Sequence, residues 1–111
     1  MKKLKISTAQ FENRSGDKNF NLSVIEGLAQ KASMEGSQVI AFHECSVTGY
    51  TFARNLSKED LLDIAEFIPE GESVKRLTRI ALENNIAILA GLFEKDNEKM
   101  CIRDSAIPVK E

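Results

Sequence analysis

The chain has 111 residues, enough for one domain with a modest core, since roughly two thirds of an unfolded surface is buried at this size. Fifteen Lys and Arg against seventeen Asp and Glu leave a formal charge of −2, with the signs interleaved, so there is no basic footprint for nucleic acid or an anionic membrane surface. No apolar run approaches the roughly 18 residues of a membrane span, and Cys45 and Cys101 are too few and too isolated for a disulfide framework or a Cys-x-x-Cys site. These features predict a cytoplasmic protein with two thiols.

In chain order the pattern is strand, helix, strand, helix, strand. Lys3 to Ala9 carries Leu4 and Ile6 at period two and predicts a first strand closed by Ala9-Gln10-Phe11. Residues 13–17 form a polar turn. Asp17 is a candidate N-cap, and Leu22, Ile25, Leu28, Ala29 and Ala32 recur at steps of three and four, which predicts an amphipathic helix over 18–35. Gly36 stands where a left-handed cap is cheapest. Val39-Ile-Ala-Phe42 is a short apolar run that predicts a buried strand, and it stops abruptly at His43-Glu44. Gly49-Tyr50 then supplies a turn and an aromatic side chain.

Ser57 with Asp60 three residues on is a variant of the capping box, and Leu61, Leu62, Ala65 and Ile68 predict a short helix stopped before Pro69. Glu70-Gly-Glu-Ser73 places acids ahead of a further helix, with Val74, Leu77, Ile80 and Ala81 on one face. Lys75, Arg76 and Arg79 fall largely on the opposite face and read as solvated, given Glu72 and Glu83 nearby. Asn84-Asn85 ends it. Ile86 to Phe93 is nearly unbroken apolar sequence, as expected of a strand covered on both sides. Strands separated by helices imply right-handed crossovers and a largely parallel sheet.

The candidate functional residue is Glu44. A carboxylate directly beyond the last apolar residue of an inner strand lies at that strand's carboxyl end, where open α/β sheets place their ligand-binding crevice. In a partly desolvated crevice such an acid suits general-base work. The same residue also fits a surface acid that caps a loop. Tyr50 fits either a pocket wall or packing beneath the loop. His43 and Cys45 flank Glu44, but adjacent residues alternate faces and no second ligand cluster exists, so no metal site is expected. Cys45 reads as a small buried filler.

Ala9-Gln10, Asp17 with Asn21, Ile40-Ala-Phe-His-Glu44 followed by Gly49-Tyr50, and the helix leading into Ile86-Ala-Ile-Leu-Ala-Gly-Leu92 together resemble the carbon-nitrogen hydrolases, the nitrilase superfamily. The resemblance runs from about Lys3 to Glu98. It implies an α/β protein, here a partial αββα sandwich of the nitrilase type, incomplete at its C-terminal end. It also implies hydrolysis of amides or nitriles by a Glu-Lys-Cys mechanism without a cofactor, a small-molecule substrate, and homo-oligomers of the full-length protein. Of the three catalytic residues only the glutamate carries over, onto Glu44. The residue before it is usually proline in this family and is His43 here. Cys45 does not match the nucleophile's motif, nor do Lys95, Lys99 and Lys110 match the lysine's.

Residues 1–99 therefore read as the amino-terminal part of such a domain. Residues 100–111 read as an atypical tail, because Met100-Cys-Ile-Arg-Asp-Ser105 shows no clean strand alternation. The expectation is that the reading frame is lost near Lys99, as in a truncated or read-through gene model, leaving Cys101 without a role. The alternative function is a non-catalytic α/β binding module in which Glu44 is incidental.

Overall fold

The local signals start most elements where they are expected. In a computed structural model, which describes residues 3–49, 52, 54–68, 70–96 and 99–107, the Asp17 carboxylate accepts from the Phe20 amide at 3.0 Å and opens helix α1, Lys18–Met34. Gly36 follows its end with φ +90°. Strand β1, Ile6–Ala9, begins later than the alternation predicts, although Lys5 still exchanges hydrogen bonds with Gln38. Strand β2 is Val39–Phe42, as read from the apolar run.

Helix α2, Lys58–Ile64, opens on the Ser57 hydroxyl, which accepts from the Asp60 amide at 3.1 Å. It ends earlier than its apolar spacing suggests. Ala65 turns extended, and Glu66 instead bonds the edge of β3: its amide donates to the Phe93 carbonyl and its carbonyl accepts from the Lys95 amide, both at 2.9 Å. Pro69, the expected stop, lies outside the described residues. Helix α3, Glu72–Asn84, closes on Asn85 in the left-handed conformation, and β3 runs Ala87–Asp96.

The sheet has the order β1-β2-β3-β4, the first three strands parallel and β4, Lys99–Ile107, antiparallel to β3. The three parallel strands separated by helices are the α/β arrangement expected, and β4 adds a strand beyond it, among the residues read as an atypical tail. Pairing with β3 runs from Asp96 opposite Lys99 to Ile88 opposite Ile107, so the backbone ladder forms a strand without help from side-chain alternation.

Helices α1 and α3 share one core with the sheet. Leu22, Ile25 and Ala29 from α1 and Val74, Leu77 and Ile80 from α3 are buried with Ile40, Ile88, Ala90 and Leu92. A smaller cluster joins Phe93 to Cys45 and Ala65, with Leu61 and Ile64 of α2 packed on it. The remaining part of that second sheet face is open: Ile6 is 55% exposed and Leu89 40%. Strand β3 is thus covered on both sides only toward its end, not along its whole apolar run.

Candidate active-site loop

Beyond Phe42 the chain makes a tight loop rather than a helix. Cys45 takes φ +53°, and its carbonyl accepts from the amides of Thr48 and Gly49 at 3.3 and 2.8 Å. The loop is pinned from three directions. From α1, Asn21 is fully buried; its Nδ2 donates to the carbonyls of Arg14 at 2.9 Å and Val47 at 2.8 Å, and its Oδ1 accepts from the Arg14 amide at 2.8 Å. From the segment after β1, the Gly16 amide donates to the Thr48 carbonyl at 3.0 Å, and Asn13 Nδ2 donates to the Ser46 carbonyl. From β3, Gly91 accepts from the Val47 amide and donates to Ser46 Oγ, both at 3.2 Å.

Residues 45–49 are all buried and His43 is half-buried, so Glu44 is the one exposed residue of 43–49. Its backbone is held by its neighbours while its side chain stands in solvent. The partly desolvated setting expected of it is therefore not what the structure shows. A shallow, open hollow of about 400 Å³ lies at the carboxyl ends of β1 and β2, lined by Thr8, Ala9, Gln10, Ala41, Phe42 and His43, without Glu44. The physical reason is the open sheet face: among the described residues no layer stands over this end of the strands to enclose an acid.

His43 packs its ring against Phe11, and burial pushes its pKa below the ordinary value. Cys45 is buried against Phe93 and Ala65, in the packing role expected of it. Tyr50 lies outside the described residues. Among the described residues no group of three or more His, Cys, Asp or Glu side chains is placed to hold a metal ion.

The basic cluster divides. Lys75 and Arg79 are exposed beside Glu72 and Glu83, each pair at 3.7 Å. Arg76 is only 24% exposed; it bonds Ser23 Oγ at 3.0 Å and lies 3.6 Å from Glu26, bridging α3 to α1 rather than standing in water.

One polar centre escaped the sequence reading. Glu66, its side chain 10% exposed, takes the Lys18 ammonium at 2.7 Å and the Ser73 amide, at the start of α3, also at 2.7 Å. Burial alone would push this carboxyl up, but the bonds from Lys18 and Ser73 and the Lys18 charge outweigh it and hold the group below the usual carboxylate range. Lys18 also donates to the Ile64 carbonyl at 2.6 Å. No local pattern links residues 18, 66 and 73.

A layered α/β chain with an acid on a pinned loop after an inner parallel strand defines a class, and comparison with known families agrees. The carbon-nitrogen hydrolase family model matches residues 5–109, and the chain belongs to that family. It is 33% identical over 95 residues to a nitrilase of Pyrococcus abyssi, covering 86% of this chain and 35% of that protein. It is 27% identical over 103 residues to an aliphatic nitrilase of Rhodococcus rhodochrous, covering 85% of this chain and 27% of that protein. The chain thus spans about a third of the length of these curated relatives. Among solved structures it resembles an amidase of Nesterenkonia sp., with TM-score 0.70, 24% identity, and coverage of 93% of this chain and 37% of that one. It also resembles two mutants of the amidase from Nesterenkonia sp. AN1, one with acrylamide added at the active site cysteine and one in complex with butyramide.

Proposed function

We propose that this segment supplies the general base of a hydrolase that cleaves an amide or nitrile by a Glu-Lys-Cys mechanism, with Glu44 as the base. The observation that supports this reading is placement. Glu44 is the one outward-facing side chain on a loop locked at the carboxyl end of an inner parallel strand.

In the reaction so read, the carboxylate takes the proton of a cysteine thiol, and the thiolate attacks the substrate's carbon, forming a carbon–sulfur bond. A lysine steadies the negative charge that develops. With an amide, collapse of the adduct expels ammonia, and water then cleaves the thioester. Cys45 is buried in packing, and Lys95 donates to the Leu62 carbonyl at 3.2 Å beside the Phe67 ring, so neither is placed for the other two roles.

The 111-residue chain alone is accordingly expected to release no ammonia from amides or nitriles. In a longer protein that carries this segment together with the lysine and cysteine, Glu44→Gln is expected to lower kcat by about 10²- to 10⁴-fold, the usual worth of a positioned base. A second reading, a non-catalytic binding module, draws on the solvent exposure of Glu44 and on the hollow lined without it. Unchanged turnover in Glu44→Gln would refute Glu44 as the base, and a longer protein that turns over neither amides nor nitriles would favour the binding module.

A further inference from the structure

His43 stands directly after β2 with its ring edge-on to Phe11, 5.0 Å between centroids and 71° between planes. Its Nε2 lies 2.6 Å from Asn13 Oδ1. The second contact of Asn13 determines which atom donates. The Ser46 carbonyl can only accept, so the Asn13 atom facing it is Nδ2. Oδ1 is left for the ring, and the ring nitrogen opposite it must carry the proton.

A neutral His43 of this tautomer has a bare Nδ1. That atom is buried and has no hydrogen-bond partner among the described residues. A lone pair costs less there than an N–H or an imidazolium would.

We propose that His43 is a positioning residue for Glu44: its Nε2–H, acting through the Asn13 amide, ties the end of β2 to the Ser46 carbonyl and closes the loop that presents the carboxylate. Where the family commonly stiffens this bend with a proline ring, here a hydrogen-bonded clamp spans it. Unlike a ring, the clamp responds to protons. Protonation puts an N–H at the buried Nδ1 with no acceptor. Phe11 and Asn13, which contact the ring, do not titrate; the charged residues that adjoin them and His43 in sequence, Glu12, Arg14 and Glu44, are all exposed. Burial holds the ring below the ordinary histidine value of 6.5, so the clamp is complete above that pH and is lost as pH falls below it toward the folded-state pKa. Only the consequence for Glu44 rests on the catalytic reading.

The sequence contains one histidine, so its imidazole nitrogen signals are unambiguous. On the ¹⁵N-labelled 111-residue chain, imidazole ¹H–¹⁵N correlation spectra from pH 8 to 5 are expected to show the Nε2–H tautomer and a titration midpoint below 6.5. Amide exchange at Val47 and Gly49 should speed up as the ring is protonated. Asn13→Ala and His43→Ala should each accelerate exchange at these amides about fivefold, as expected for one lost buried hydrogen bond. His43→Gln, whose amide can replace the Nε2–H donor, should restore it. An Nδ1–H tautomer, a midpoint at or above 6.5, or exchange that is indifferent to both alanine substitutions would overturn the proposal. If an alanine variant does not fold, the tautomer and midpoint of the unsubstituted chain decide. Clamp signatures as expected, with Glu44→Gln silent in the longer protein, would remove the catalytic reading and leave the clamp standing.

Discussion

Asn21 illustrates what one polar side chain can do inside an apolar layer. It is buried on the helix face that carries Ile25, Leu28 and Ala32, and its amide joins the 13–17 turn to the loop bearing Glu44. Asn21→Ala leaves three backbone groups without their partner, a loss of roughly 2–4 kcal/mol in urea unfolding. A loss below about 0.5 kcal/mol would mean the loop is held without it. The position of Asn21 was legible, since the spacing 21, 25, 28, 32 sets a polar residue among core positions. Its partners were not, because Val47 lies 26 residues away and is reached only once α1 packs on the sheet. Glu66 was not legible at all. Lys18 is 48 residues from it, and neither residue breaks a local pattern. Because Glu66 stays ionised in the fold to lower pH than in the unfolded chain, its contribution is complete above about 4.5 and is lost as pH falls through the folded-state value. Thermal unfolding in steps from pH 6 to 3 should show Tm falling, with the fall below pH 4.5 smaller in Glu66→Gln. Parallel profiles for the two proteins would contradict this.

The elements depend on such centres for their ends. Helix α2 stops at Ile64 although its apolar spacing runs on to Ile68, because the Glu66 backbone gains two bonds to β3 and its carboxylate receives the first turn of α3. Gly71 is required by that arrangement. A Cβ there would lie 2.5 Å from Glu66 Oε1 and 2.8 Å from the Phe67 carbonyl, so the substitution displaces the carboxylate that Ser73 and Lys18 share. Gly71→Ala should therefore cost roughly 1–3 kcal/mol in chemical denaturation. Stabilisation instead, as expected for alanine at an unhindered ordinary backbone angle, would show that Glu66 moves aside freely. The amphipathic faces of α1 and α3 were legible because each helix writes its period into adjacent turns. Strand β4 was not, because an antiparallel partner forms its ladder whatever the side-chain alternation.

Taken whole, the sheet has one face closed by α1 and α3 and another that is closed only around Phe93. Ile6 and Leu89 stand exposed on that second face. Apolar groups so placed favour association. Ile6→Lys with Leu89→Lys should reduce concentration-dependent light scattering of the chain while shifting stability by less than about 1 kcal/mol, two surface substitutions at up to ~0.5 kcal/mol each. Scattering that is unchanged would show that association uses another surface. By itself the amino-acid sequence determined the parallel α/β order, the helix caps, the two apolar helix faces and the place of Glu44 after an inner strand, all of which are written in periods and neighbours a few residues apart. Only the tertiary structure decided that Glu44 stands in solvent, that Asn13 and Asn21 hold its loop, that Lys18 and Glu66 join three elements, and that half a sheet face lies open. Those outcomes depend on which segments meet across 26 to 48 residues of chain, and no local spacing encodes such meetings.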